Sequence, residues 1–125
     1  MSLKARTPLG WALGGLVFLL FFASAADKIV GSQHAMKMGS SFGLSSEAYR
    51  VLGLVELGSA LLFFVPRTGL LGTLLLASYM GGAIATHLQH GQDILFPASV
   101  EALVWVAAAV RFPETYRRIT GMRNE

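Results

Sequence analysis

The chain contains no cysteine. That excludes disulfide frameworks, thiolate metal sites, iron–sulfur clusters and thiol redox chemistry carried by this chain alone. Charge is scarce too. Asp, Glu, Lys and Arg make up 14% of the 125 residues, against about 25% in an ordinary soluble domain. Low charge with high hydrophobicity is the reverse of what a disordered chain requires. The ten Lys and Arg residues give a net charge of +3, but they form no stripe that would track phosphates, so no nucleic-acid partner is expected. Nucleophile motifs, phosphate-cradling loops and dinucleotide fingerprints are also missing; the Gly14-Gly15 pair lies within an apolar run.

Apolar residues are what the chain has in excess, at 54%. They gather in four segments, at about residues 9–27, 48–65, 69–88 and 95–111. Crossing the hydrocarbon core of a bilayer takes about 17–25 predominantly apolar residues. The first and third segments meet that directly. The second and fourth reach it when their polar flanks, residues 46–50 and 92–95, sit in the headgroup layer. A soluble bundle would carry a polar face on every helix, whereas residues 13–26 and 69–85 are apolar or small nearly all round. The expected fold is therefore all-α, a polytopic membrane four-helix bundle built as one domain over residues 1–125.

The first segment imitates a secretory signal, with Lys4 and Arg6 before an apolar centre and Ala23-Ser24-Ala25 as a small-x-small site. Three more apolar segments follow, so an uncleaved first span is expected. With an even number of spans both termini share one side. Seven of the ten cations fall there (Lys4, Arg6, Arg67, Arg111, Arg117, Arg118, Arg123) and three on the other (Lys28, Lys37, Arg50). The positive-inside rule then places both termini in the cytoplasm of a multi-pass inner-membrane protein. Trp11, Tyr49 and Tyr116 suit interface positions. The tail after Pro113 either lies on anionic lipid heads or is a solvated basic tail that only sets topology.

Breakers mark the boundaries. Pro66-Arg67-Thr68-Gly69 reads as a tight turn. Pro8 and Pro97 fit first turns of helices, and Pro113 follows the last apolar residue of the fourth segment. The polar loop at residues 31–46 has room for a short helix around His34 to Met38, with His34 given no evident partner. Asp93 reads as a turn residue. Helix association in lipid leans on small residues. The third segment has two such rows, Ala77/Gly81/Ala85 and Ser78/Gly82/Thr86, which predict contact with two neighbours. Gly10, Gly14 and Ser24 offer a row on the first.

Polar residues within apolar segments carry the functional signal, because a carboxylate inside a bilayer costs about 3 kcal/mol and normally faces the bundle interior with a partner. Glu56 shares its helix face with Gly53, Ser59 and Ala60, and Glu101 shares its face with Ala98, Trp105 and Ala108. Both are expected to point inward. Counting from the outer ends at Tyr49 and Phe96, they lie about 10 Å and about 7 Å along their helices at 1.5 Å per residue. Asp27 and Lys28 end the first segment on that side, and His87 and His90 end the third. All four helices would then supply an ionisable group to one outward-opening pocket, centred on Glu56, Glu101 and His87, with Asp27, Lys28, Tyr49, Trp105 and His90 around it.

Such a constellation supports several chemistries. Two carboxylates and a histidine are the groups of acid–base catalysis. His87 and His90 with Glu56 or Glu101 have the donor types of a zinc or iron site, although no metal or other cofactor is assigned. Lys28 is placed to neutralise Glu56 or Glu101 in a structural ion pair.

Several motifs are familiar together. Gly53-Leu54-Val55-Glu56-Leu57-Gly58 is followed by the Pro66-Arg67-Thr68-Gly69 turn, by Leu74 to Ala77, by the run Gly81-Gly82-Ala83-Ile84-Ala85-Thr86-His87, and by Phe96-Pro97. From about residue 18 to 113 the chain resembles the DoxX-like family of small bacterial four-helix membrane proteins. The resemblance implies an inner-membrane bundle and an association with redox systems, including thiosulfate oxidation by quinone. A redox role would run through a partner enzyme, a bound quinone or a metal, since the chain carries no redox group. The leading expectation is a protein of the bilayer that binds a lipophilic small molecule, quinone-like or lipid-like, as an accessory to a redox enzyme. The alternative is a membrane-embedded acid–base enzyme such as an isomerase, with Glu56 or Glu101 as base and His87 as acid. A third reading is a structural subunit held by a Lys28–Glu56 pair, and self-association is expected of so apolar an exterior.

Overall fold

A computed structural model describes residues 3–121 of the chain, with side chains from Thr7 onward; Lys4 and Arg6 as charges, and Arg123, lie outside the described residues. All regular structure there is helical: α1 (Leu3–Val30), α2 (Gln33–Ser41), α3 (Ser46–Phe64), a 3₁₀ turn (Pro66–Thr68), α4 (Gly69–Gln89), α5 (Leu95–Arg111) and α6 (Pro113–Thr120). The turns follow local chemistry. Gly31 takes a left-handed φ of +74° to end α1, and Ser32 then caps α2 by accepting from the Ala35 N–H at 3.0 Å. Ser45 caps α3 in the same way through Ala48. Asp93 accepts from the Leu95 N–H at 2.9 Å to start α5, the turn role expected of it. Pro8 differs from expectation. α1 begins at Leu3, so Pro8 lies inside the helix and removes one i→i−4 hydrogen bond there.

The four long helices pack as a closed ring in which α1 touches α3 and α5, and α4 touches α3 and α5. Val17, Phe21, Ala60, Phe63, Leu76, Met80, Val104 and Ala107 meet in its centre. The outside is as apolar as the inside. Leu16, Leu19, Phe22, Leu54, Leu61, Leu71, Leu74 and Val106 are all exposed large hydrophobics, while Glu56, Ser59 and Thr73 are buried. That inverted distribution belongs to a bundle solvated by lipid. Two stretches, Thr7–Val30 and Pro66–Gln89, are long and apolar enough to cross a membrane; α5 and α6 pass the same test jointly but bend by 110° at Pro113.

The packing face of α4 is not the predicted one. Its buried residues are Gly69, Gly72, Thr73, Leu76 and Met80, whereas Gly81, Gly82 and Ala85 are exposed. Glycine is required lower on the helix. A Cβ at Gly72 would stand 2.0 Å from the Phe63 backbone nitrogen, so α4 crosses α3 nearly backbone to backbone. Gly10 and Gly14 of α1 make room for Arg111, whose side chain a Cβ at Gly14 would meet at 3.0 Å. Arg111 donates from Nη1 to the Phe63 carbonyl and from Nη2 to the Phe64 carbonyl, both at 2.8 Å. Its guanidinium also faces the rings of Phe63 and Phe112 at 4.8 and 4.9 Å. A residue read from sequence only as a topology charge thus ties α1, α3 and α5 together at one end.

Gly72→Ala should lower the unfolding temperature in detergent, at a cost of about 1–3 kcal/mol for overpacking. Gly81→Ala has open space at its Cβ and should raise it slightly, by up to about 1 kcal/mol from helix propensity. Equal effects at the two sites would mean that the close α3–α4 crossing is not a determinant of stability.

Candidate functional site

The site forms at the end of the ring opposite Arg111. Ser24 and Lys28, four apart, lie on one face of α1. Gly53 lets α3 press against that face: a Cβ there would fall 2.8 Å from the Lys28 Cβ and 3.1 Å from the Ala25 carbonyl oxygen. Three residues further along α3, Glu56 is brought under the lysine. Lys28 Nζ donates to Glu56 Oε1 at 3.1 Å and to Ser24 Oγ at 2.6 Å. Ser24 Oγ donates in turn to Glu56 Oε1 at 3.2 Å. Tyr79 of α4 interacts with the same carboxylate, and the Lys28 ammonium sits 5.2 Å from the centre of the Tyr49 ring. The pair is nearly dry, with side-chain exposures of 11% for Lys28 and 3% for Glu56. Two charges so enclosed are tolerable only because each compensates the other and the remaining polar atoms find partners.

Beside the pair lies a cavity of about 410 Å³, within the range of small-molecule sites. Its polar wall is Lys28, Glu56, Tyr49, Tyr79 and His87. Its apolar wall includes Phe21, Leu52, Met80 and Val100, with Met38 and Phe42 contributed from the α2 side. α2 is held there by a second small core, in which Ala35, Phe42 and Tyr49 are buried together. Leu20, Ser78, Gly82 and Phe96 line the cavity and are also exposed, so it opens sideways between helices. His87 Nδ1 is 2.6 Å from the Ala83 carbonyl oxygen. A carbonyl only accepts, so Nδ1 carries the proton and Nε2 is the nitrogen left for a bound group. The ring is packed 4.9 Å from Phe42.

Of the residues singled out from sequence, Glu56, His87, Lys28 and Tyr49 line this cavity, and Asp27, His90, Glu101 and Trp105 do not. Asp27 organises the α1–α2 corner, accepting from the Ser32 hydroxyl and lying 3.0 Å from His34 Nδ1. His34 therefore has the partner that sequence did not offer it. His90 is exposed, with Nδ1 2.9 Å from the Thr86 carbonyl oxygen and its ring edge-on to Phe42. Glu101 is half-buried and interacts with Trp105 one turn away; its Oε1 is buried with no hydrogen-bond partner among the described residues. The fourth helix thus brings Phe96, Pro97 and Val100 to the chamber in place of a carboxylate. Tyr49, in the first turn of α3, is buried because α2 folds over it. Among the described residues no three His, Asp or Glu side chains gather closely enough to hold a metal, which leaves the His87/His90 site unformed.

Two members of the cluster, Ser24 and Tyr79, carry weaker sequence signals. Ser24 reads as a small residue of α1, although its i, i+4 spacing to Lys28 marks it as a partner. Tyr79 and His87 lie eight residues apart on one face of a largely apolar helix, a polar pair that marks the same chamber in the sequence.

Apolar helices ringed about a dry ion pair and an internal chamber define a small multi-pass helical membrane protein. The chain belongs to the DoxX-like family, whose sequence model matches residues 12–110, a range that takes in the whole cavity. No curated protein and no solved structure matches it.

Breaking the pair from one side, with Lys28→Met or Glu56→Leu, should destabilise the protein by about 3–5 kcal/mol, because the surviving charge is left buried alone. The double substitution should recover most of that loss in thermal unfolding. Additive losses would show that the two residues are not energetically coupled.

Proposed function

We propose that this protein spans the bacterial inner membrane four times, with both termini in the cytoplasm, and holds a lipophilic small molecule in its outward half. The uneven distribution of Lys and Arg supports the orientation. α3 and α5, at 19 and 17 residues, are about 28 and 26 Å long at 1.5 Å per residue, which approaches the hydrocarbon thickness of about 30 Å.

One observation carries the binding reading: a single ammonium group at the wall of an otherwise largely apolar chamber. Lys28 has three N–H donors, and two are engaged by Ser24 and Glu56. The third is available to an acceptor oxygen on a ligand, with His87 Nε2 and the tyrosine rings nearby. An apolar body would rest on Phe21, Leu52, Met80 and Val100 and enter through the sideways opening, directly from lipid. A quinone-like or lipid-like molecule has that form: a carbonyl-bearing head on an apolar tail. Held there, it would be kept in the bilayer and presented to a redox enzyme partner. The acid–base reading has less support, since Glu56 is already engaged by Lys28 and Ser24, and Glu101 lies off the cavity.

Gly82 tests the chamber without disturbing the packing, because a Cβ there meets nothing within 4 Å. A decyl-substituted benzoquinone should raise the unfolding temperature of the native chain and leave that of Gly82→Leu unchanged. Equal shifts in both would put the probe elsewhere. Orientation can be checked on the cysteine-free background. Ser40→Cys, exposed on α2, should react with an impermeant maleimide in intact cells, and Arg67→Cys, exposed in the 3₁₀ turn, only after permeabilisation. The opposite pattern would invert the topology.

A further inference from the structure

At the other end of the molecule, α6 leaves α5 at 110° and lies across the flank of the bundle rather than continuing out of it. Between α6 and the outer surfaces of α4 and α5 runs an open groove of about 970 Å³. Its floor is apolar: Leu70 and Leu74, one turn apart on α4, and Trp105 on α5. Its rim is α6, which contributes Arg117, Arg118 and Ile119 together with a single carboxylate, Glu114. Both arginines are exposed. Trp105 is eight residues from Pro113, about 12 Å along α5 at 1.5 Å per residue. The groove therefore runs from a net-positive rim down an apolar wall for roughly the length of the upper part of an acyl chain.

We propose that this groove is a docking site for an anionic phospholipid. Its phosphate lies against Arg117 and Arg118, and one acyl chain lies along Leu70, Leu74 and Trp105. Charge complementarity selects the occupant. A zwitterionic lipid would cover the same floor without using the net charge of the rim. A free phosphate ion would satisfy the rim and leave the floor uncovered. A second copy of this chain would bring the same basic helix, and the like charges would oppose each other. The side is also consistent, because juxtamembrane arginines attract the anionic lipids of the cytoplasmic leaflet, and α6 lies at the end of the bundle where Arg67 and Arg111 also lie. The inference rests on the membrane reading above but not on the cavity at Lys28. Cysteine labelling tests that reading separately, so the two can fail independently.

Trp105 is a built-in reporter. In the full chain carrying Trp11→Phe it is the sole tryptophan, since the protein has only two. The protein would be reconstituted in phosphatidylcholine vesicles containing, at equal mole fraction, either phosphatidylglycerol or phosphatidylcholine with brominated chains. Brominated phosphatidylglycerol should occupy the groove roughly fivefold more readily, the preference expected for one net positive charge near the surface. Trp105 quenching would report that occupancy. Arg117→Gln/Arg118→Gln should abolish the difference. Equal quenching by both lipids in the parent, preference that persists in the double variant, or protection of Trp105 from both lipids by a protein occupant would each overturn the proposal. Native mass spectrometry of the unsubstituted chain, released from micelles containing both lipids, gives a second reading that does not depend on Trp11→Phe. Retention of phosphatidylglycerol over phosphatidylcholine is expected, and no difference would count against the site.

Discussion

The ion pair between Lys28 and Glu56 is the constraint on which the rest of this structure depends. A lone carboxylate or ammonium in an apolar bundle is unfavourable by several kcal/mol, so each group dictates where the other's helix must lie. The close approach of α1 and α3 at Gly53 is the geometric result. Ser24 satisfies part of what remains, accepting from Lys28 and donating to Glu56. The chamber exists because this cluster occupies one wall and the ring of helices does not close tightly over it. The same arrangement that makes the pair tolerable sets the ammonium at the wall of the chamber, beside the Tyr49 ring.

The opposite end is held by a different solution to the same problem. Arg111 has no carboxylate partner among the described residues. Its charge is met by two backbone carbonyls at the C-terminus of α3, where the helix dipole favours a cation, and by aromatic rings including Trp11. Gly10 and Gly14 provide the space. Each end of the bundle is thus closed by one cation that reaches between helices, and the segment between is held by close apolar packing.

Much of this was legible in residue order. Four apolar segments, the turn at Pro66, the short helix after Ser32 and the inward Glu56 all follow from hydropathy, capping chemistry and the cost of a buried carboxylate. The convergence of Glu56 with Lys28 and His87 was legible as well, since all three fall near the same ends of their segments. The place of Glu101 was not. Pattern puts it on a face of small residues, but α5 is rotated so that Phe96, Pro97 and Val100 line the chamber and Glu101 does not. The small rows on α4 were misleading for a related reason. Small residues permit close approach without requiring it, and the close crossing lies at Gly72 against Phe63 instead.

Sequence alone determined the solvent of this protein and the residues too polar for it, because both are properties of single segments: their length, their hydropathy and the cost of each charge within them. Tertiary structure decided which polar groups meet, where the chain leaves empty space, and that α6 turns back over α4 and α5. Those outcomes depend on helix rotation and crossing, which are set by contacts between residues far apart in the chain, such as Gly53 with Lys28 and Arg111 with Phe63. No local pattern contains them.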